Sequence, residues 1–181
     1  MNFKILVAAI VFHVGLNSYA APLPATSSSE FIRQQLGVFR SDAGFTINSG
    51  DSDWVQELEA IRNPFVVTSY RAPSTYDGVQ AALTVRVDKM SQSTTLKSYV
   101  TRWMRDFPRL GFKVMQAKPI KVSGQLGFVI DLKNQSAMKQ LRQVLFLKDK
   151  TAVIMTCRDH EDHFQSTLKD CNEIIKNFRW L

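Results

Sequence analysis

From Gly44 onward, apolar and polar positions alternate in short runs. Phe45 and Ile47 fall on one side of a predicted strand, and Asn48-Ser49-Gly50-Asp51-Ser52-Asp53 supplies turn chemistry and a cap for a helix predicted over 54–61. Asn63-Pro64 ends that segment. A β-branched and aromatic run over 65–70 reads as a strand, 71–78 with Pro73 and Asp77-Gly78 as a turn, and 79–87 as a returning strand. In the returning strand Leu83, Val85 and Val87 oppose Thr84, Arg86 and Asp88, so the hairpin has one wet face. The period then changes to that of a helix. Leu96, Tyr99, Val100, Trp103 and Phe107 form one apolar stripe, Thr94 or Thr95 caps its start, and Pro108 stops it. Arg102 and Asp106 sit four apart on the opposite side, the spacing of an exposed ion pair.

Four further strands follow with no helix between them, over 112–117, 127–133, 141–147 and 152–157. Their links, Ser123-Gly124-Gln125, Asn134-Gln135-Ser136 and Lys148-Asp149-Lys150, are short and polar. A parallel crossover needs a dozen or more residues, so these strands must pair antiparallel. A closing helix carries the stripe Phe164, Leu168, Cys171, Ile175 and Phe178, and each helix has one apolar face to bury against the sheet. The predicted fold class is therefore α+β, a mainly antiparallel sheet covered by helices. A chain of 181 residues, 45% of them hydrophobic, supports one such core, and the globular domain is assigned to 30–181. Its first segment, 30–39, has the makings of a short helix weakened by Gly37.

Residues 1–20 differ from all of this. Lys4 precedes an unbroken apolar run from Ile5 to Phe12, and Ser18-Tyr19-Ala20 places small residues at the −3 and −1 positions of a cleavage site, the pattern of a secretory signal peptide. His13, Asn17 and Ser18 interrupt the run too early for a spanning helix, which needs about 20 apolar residues. Residues 21–29, rich in Pro, Ser and Thr, read as a flexible tether. The expected protein is exported, periplasmic or secreted, and soluble, with no transmembrane segment after cleavage. Cleavage removes one basic residue and no acidic one, lowering the formal charge of +7 by one. A basic balance favours anionic envelope components or acidic proteins as partners, although the charges are spread along the chain.

The residue types with chemical potential gather near the C-terminus. Cys157, His160, His163 and Cys171 give C-x2-H-x2-H-x7-C, all of them zinc-binding types, but the spacing matches no familiar finger, and an oxidising destination favours oxidised thiols. A Cys157–Cys171 disulfide would close a loop worth about 3 kcal/mol in the chain-entropy model. The predicted boundaries oppose it: Cys157 lies about 7 Å from its strand end and Cys171 about 13 Å into the helix. The pair is open between a bridge and two thiols. No nucleophile elbow accompanies His160 or His163, and Asp159, Glu161 and Asp162 suit the N-terminus of the following helix. Ser123-Gly124-Gln125-Leu126-Gly127 lacks the Lys and the helix of a phosphate loop, and Asn134-Gln135-Ser136 matches a glycosylation acceptor that also serves as a turn. Lys113, Lys118, Lys121, Lys139, Arg142, Lys148 and Lys150 collect toward hairpin ends, a candidate basic rim. Export argues against nucleic acid as its partner.

The order of elements, with TTLKSYVTRWM as the capped helix, SGQLGFVIDL, the hairpin LRQVLFLKDKTAVIMTC and a terminal IIKNFRW, resembles the PsbP/DcrB-like α/β sandwich family over residues 44–181. The residues that carry it are Ser123-Gly124 and Gly127-Phe128 before the apolar strand, and Phe178 and Trp180 at the end. The resemblance implies an α/β/α sandwich without a shared catalytic set, acting as an exported accessory or binding protein. Another envelope protein is then the expected partner, with no enzyme activity, cofactor or metal. The alternative is a small-ligand or anionic-surface binder using the basic rim. Oligomeric state is open.

Overall fold

The structure, a computed structural model, describes residues 37–57, 65–134 and 136–181. The export leader over 1–20, the tether over 21–29 and most of the helix proposed over 30–39 lie outside them. The elements are β1 (Val38–Ser41), β2 (Phe45–Asn48), β3 (Val55–Glu57), β4 (Val66–Tyr76), β5 (Val79–Lys89), α1 (Leu96–Asp106), β6 (Lys113–Val122), β7 (Gln125–Asn134), β8 (Lys139–Lys148), β9 (Thr151–His160), α2 (Phe164–Lys176) and β10 (Arg179–Trp180). A seven-stranded sheet runs in the order β3-β4-β5-β9-β8-β7-β6 with every neighbouring pair antiparallel, and a three-stranded sheet runs β1-β2-β10. This is the α+β, mainly antiparallel class that the periodicity dictates. Among the described residues no helix is long and apolar enough to cross a membrane.

Alternation along the central strands sorts residues into three layers. Leu145, Ile154, Ile130 and Leu132 point to one face and meet Tyr99, Val100 and Phe107 of α1 and the turn after it. Val144, Phe146, Val153 and Met155 point to the other, where Phe164, Leu168 and Ile175 of α2 and Phe45 and Ile47 of β2 cover them. Strands buried on both faces need a layer on each side. Thr95 caps α1 by accepting the Ser98 N–H at 3.1 Å, and Pro108 sits in a 3₁₀ turn closed by Gly111 in the left-handed conformation. Arg105, not Arg102, lies beside Asp106, at 3.4 Å, while Arg102 turns its guanidinium over the Tyr99 ring.

Several boundaries differ from the sequence expectation, each for a physical reason. All four late strands are longer, because cross-strand pairing carries their polar ends into register. At Ser123-Gly124 and Asp77-Gly78 both residues have positive φ, the conformation whose twist matches a hairpin. Residues 71–76 are strand, and only Asp77-Gly78 turn; Pro73 falls in a register shift between Arg71 and Thr75, beyond the last residue that β3 pairs. The segment predicted as a helix over 54–61 begins as β3, with the Trp54 side chain buried, and the segment over 30–39 ends in β1.

The depth argument against a Cys157–Cys171 bridge fails on the same ground. β9 continues to His160 and α2 begins only at Phe164, so Cys157 lies about 10 Å before its strand end. Cys171 lies about 10 Å into the helix. At equal depth their Cα atoms are 6.1 Å apart, and the two sulfurs form a buried disulfide.

Two tyrosines anchor the layers by buried hydroxyls. Tyr70 donates to the Ile47 carbonyl at 3.3 Å, and burial holds its pKa well above the usual tyrosine value. Tyr99 donates to Asp88 Oδ2 at 2.5 Å; burial first, then the Asp88 carboxylate, pushes its pKa from 10.0 up to about 12.

Two predictions follow from this packing. Because the unfolded tyrosine ionises first, the Tyr99 contribution is complete below pH 10 and is lost as pH rises toward about 12. Urea unfolding across that window should show falling stability, with a shallower slope in Tyr99→Phe. The bridge closes a loop of sequence separation 14, so Cys157→Ser with Cys171→Ser should cost about 3 kcal/mol in urea unfolding. Unreduced, denatured protein should titrate no free thiol.

Candidate functional site

α2 is a single helix over a wide sheet, and it stops short of β6. The inner face of that edge strand, with Gln116, Lys118, Ile120 and Val122, therefore stays open beside the C-terminal half of α2. The space between them is a groove of about 450 Å³. Its floor is apolar, built from Ile120, Val122, Val129, Val144 and Ile175, and its borders carry Lys118, Lys121, Arg142 and Lys176 with the amides of Gln116 and Asn172. One end is closed by the β6–β7 turn, which is tied to the end of α2: Ser123 Oγ donates to the Lys176 carbonyl at 2.7 Å, and Gln125 Nε2 to the Phe178 carbonyl at 3.0 Å. The first of these bonds satisfies a carbonyl that the helix end leaves free.

The four cations are not equivalent. Arg142 lies directly across from Asp131 and grips it with both arms of the fork, Nε to Oδ1 at 2.7 Å and Nη2 to Oδ2 at 2.9 Å. Lys176 pairs with Glu173, which holds the Glu173 carboxyl below its usual pKa. Lys118 and Lys121 have no acidic partner among the described residues, so they set the sign of the potential at the groove mouth. The arrangement suits an elongated ligand with an apolar body and negative charge along one side.

The predicted basic rim is divided. Lys118, Lys121 and Arg142 share the groove. Lys148 and Lys150 sit at the β8–β9 turn, where their ammonium groups donate to the carbonyls of Leu181 and Ser91 at 2.9 and 3.1 Å. Lys113 and Lys139 begin their strands at the opposite end of the sheet, roughly 30 Å away along ten-residue strands. Lys176 and Asn172 were missed because they reach the groove only through the placement of α2. Asp131 had a sequence signal, a lone carboxylate in the apolar run Phe128–Leu132 of β7.

The cysteine and histidine cluster is structural in its contacts. The sulfurs are consumed by the disulfide, His160 Nδ1 accepts from the Asp162 N–H at 3.4 Å, and the Tyr76 ring lies on His163. No carboxylate occupies the first turn of α2, contrary to the expectation for Asp159, Glu161 and Asp162. Asp159 is instead a buried residue of β9 that accepts from Thr167 Oγ1 and from the His160 N–H, while Glu161 pairs with Lys133 at 2.7 Å. Ser166 donates to the His163 carbonyl at 2.7 Å, so neither hydroxyl near this cluster is held by an imidazole nitrogen. Among the described residues no group of three His, Cys, Asp or Glu is placed to hold a metal ion.

No family model matches the chain, and no curated protein sequence matches it. Solved structures do. The solution structure of the cyanobacterial PsbP (CyanoP) of Synechocystis superposes with a TM-score of 0.56 at 12% identity, covering 80% of this chain and 91% of that one. A protein of unknown function from Pseudomonas aeruginosa superposes with a TM-score of 0.51 at 16% identity, covering 75% and 92%. At these identities the likeness concerns the fold, and the chain has a PsbP-like fold.

Asp131 and Arg142 form the one groove pair that is both forked and largely buried, so its removal should be measurable. Asp131→Asn should cost about 2 kcal/mol in chemical unfolding, because Arg142 loses its counter-charge and one of its two acceptors, the amide NH2 facing a donor where Oδ2 accepted. A double-mutant cycle of Asp131→Ala with Arg142→Ala should return a coupling of about 1–2 kcal/mol.

Proposed function

We propose that this protein is an exported, non-enzymatic accessory protein of the cell envelope, and that the groove between β6 and α2 receives an acidic segment of a partner protein. The observation that carries this reading is the combination of an apolar floor with two uncompensated lysines, Lys118 and Lys121, on the exposed edge. An acidic, partly apolar peptide matches both features, and complementary charge speeds encounter and rejects wrong partners. The leader pattern over residues 1–20 supports export, and a disulfide belongs in an oxidising compartment. The engaged hydroxyls around His160 and His163 support a binding role over hydrolysis. Anionic lipid or glycan bound along a continuous basic rim is the weaker reading, because the rim lysines lie at opposite ends of the sheet.

A photo-crosslinking residue in place of Gln116, used in intact cells, tests the groove. It should capture one protein species, mapped to an acidic stretch of that partner, with yield falling about tenfold in K118E/K121E and with added salt. Adducts spread over many proteins, adducts to lipid, or a yield indifferent to charge reversal would sink the proposal. Fractionation with N-terminal sequencing tests export separately; a mature chain beginning at Ala21 in the envelope fraction is expected.

A further inference from the structure

On the other face of the large sheet, at its opposite end, three strands place two arginines around an alanine. Arg71 of β4, Ala82 of β5 and Arg158 of β9 are direct cross-strand partners in one row, so all three side chains share a face. The arginine Cα atoms are thus two strand spacings apart, roughly 10 Å, with nothing larger than a methyl group between them. Ala82 is nonetheless only 2% exposed, as it must be if the flanking arginine stems close over it. The heads of Arg71 and Arg158, with Lys139 and Gln80, border a cleft of about 240 Å³ above the β4–β5 turn.

Arg71 is already positioned. Its Nε meets Glu57 at 2.5 Å and its Nη1 donates to the Gln80 side-chain oxygen at 3.3 Å, while Gln80 itself is fixed by donating to the Ala72 carbonyl at 2.7 Å. Arg158 and Lys139 are exposed and have no acidic partner among the described residues. The two carboxylates nearby do not neutralise them. Glu57 is taken by Arg71, and Asp159, which also lines the cleft, is buried with its oxygens occupied by Thr167 and the His160 N–H. Two guanidinium forks and an ammonium around a small, open cleft match the donor demand of a tetrahedral oxyanion.

We infer that the cleft between Arg71, Arg158 and Lys139 is a binding site for a phosphate or sulfate group, separate from the α2-side groove. The group is carried either by a soluble ester or by a lipid headgroup. The site lies across the sheet from Lys118, so it does not depend on the groove having a protein partner.

Calorimetric titration of the full chain with inorganic phosphate and with sulfate, at low ionic strength, tests it. Saturable one-to-one binding is expected, weakened about tenfold by Arg158→Gln and weakened also by Lys139→Gln, with Lys169→Gln on the exposed side of α2 unchanged. Melting curves of the variants without anion should overlay that of the parent, since Arg158 and Lys139 are exposed. Binding of the same variants to phosphatidic acid vesicles then distinguishes the carriers: loss in Arg158→Gln assigns a lipid headgroup, and no vesicle binding assigns a soluble ester. Absence of saturable binding to either anion, or equal binding in Arg158→Gln and Lys169→Gln, overturns the site.

Discussion

Phe146 stacked on Phe178 is the contact on which the inner half of the molecule depends. The rings lie 4.5 Å apart at 12°, with Phe146 projecting from the middle of the large sheet and Phe178 from the residues just after α2. Phe178 in turn meets Phe45 of β2 at 5.4 Å and Trp180 of β10 at 5.2 Å, so one ring joins the large sheet, the helix and the small sheet. Aromatic pairs add about 0.5–1.5 kcal/mol beyond the area they bury, and here the Phe45, Phe146 and Phe178 rings are fully enclosed. The stack also dictates a glycine. Gly127 is the cross-strand partner of Phe146, and a Cβ there would stand 2.8 Å from the Phe146 ring, closer than carbon atoms approach. The pair Gly127-Phe128, which marked the start of an apolar strand in the sequence, is thus a packing requirement of its neighbour.

That stack explains what could and could not be read in advance. Periodicity made the late strands, both helices and the antiparallel pairing legible, because period 2 and period 3.6 are local properties. The limits of those strands were not, since Lys121, Gln125 and His160 are polar and carry no apolar alternation; only their partners' register extends the strands to them. The disulfide turned on the same few residues. The pairing of β10 with β2 in the three-stranded sheet, and the burial of Phe178 outside any helix, rest on long-range contacts that no local window contains. For the groove, Lys118 and Arg142 were visible as basic positions, but their shared site with Lys176 depends on how far α2 extends over the sheet.

The groove itself follows from the width of that sheet. Seven strands spaced about 4.8 Å apart span nearly 30 Å, whereas one helix covers about 10 Å. α2 and the small sheet together cover β5, β9 and β8 on the inner face, and α1 covers β7, β8 and β9 on the outer. β6 is left over at the edge. An uncovered edge strand is a template for unwanted pairing, and lysines and a proline are the usual protection; Lys113, Lys118, Lys121 and Pro119 are all on β6. Edge protection and ligand charge are compatible roles for the same lysines. What edge protection leaves unexplained is the apolar floor, because Ile120 and Val122 beside an open rim add exposed hydrophobic surface where a purely defensive edge would have none.

The outer-face cleft arises from the same shortfall on the other side. α1 packs on β7 to β9 and reaches only Arg86 and Asp88 in the second half of β5, so the outward side chains of β3, β4 and the first half of β5 are not covered by a helix, and a sheet face facing water must be polar. Polarity alone, however, would be met by Thr, Ser or Gln in any order, as Thr84, Thr156 and Gln143 meet it one pair further along. Placing like charges on both sides of an alanine costs repulsion that a neutral row avoids, and Glu57 offsets only one of the two. An oxyanion between the forks removes that cost and uses the space the alanine leaves. Groove and cleft lie on opposite faces with no shared side chain, so energetic changes at one should add independently to changes at the other.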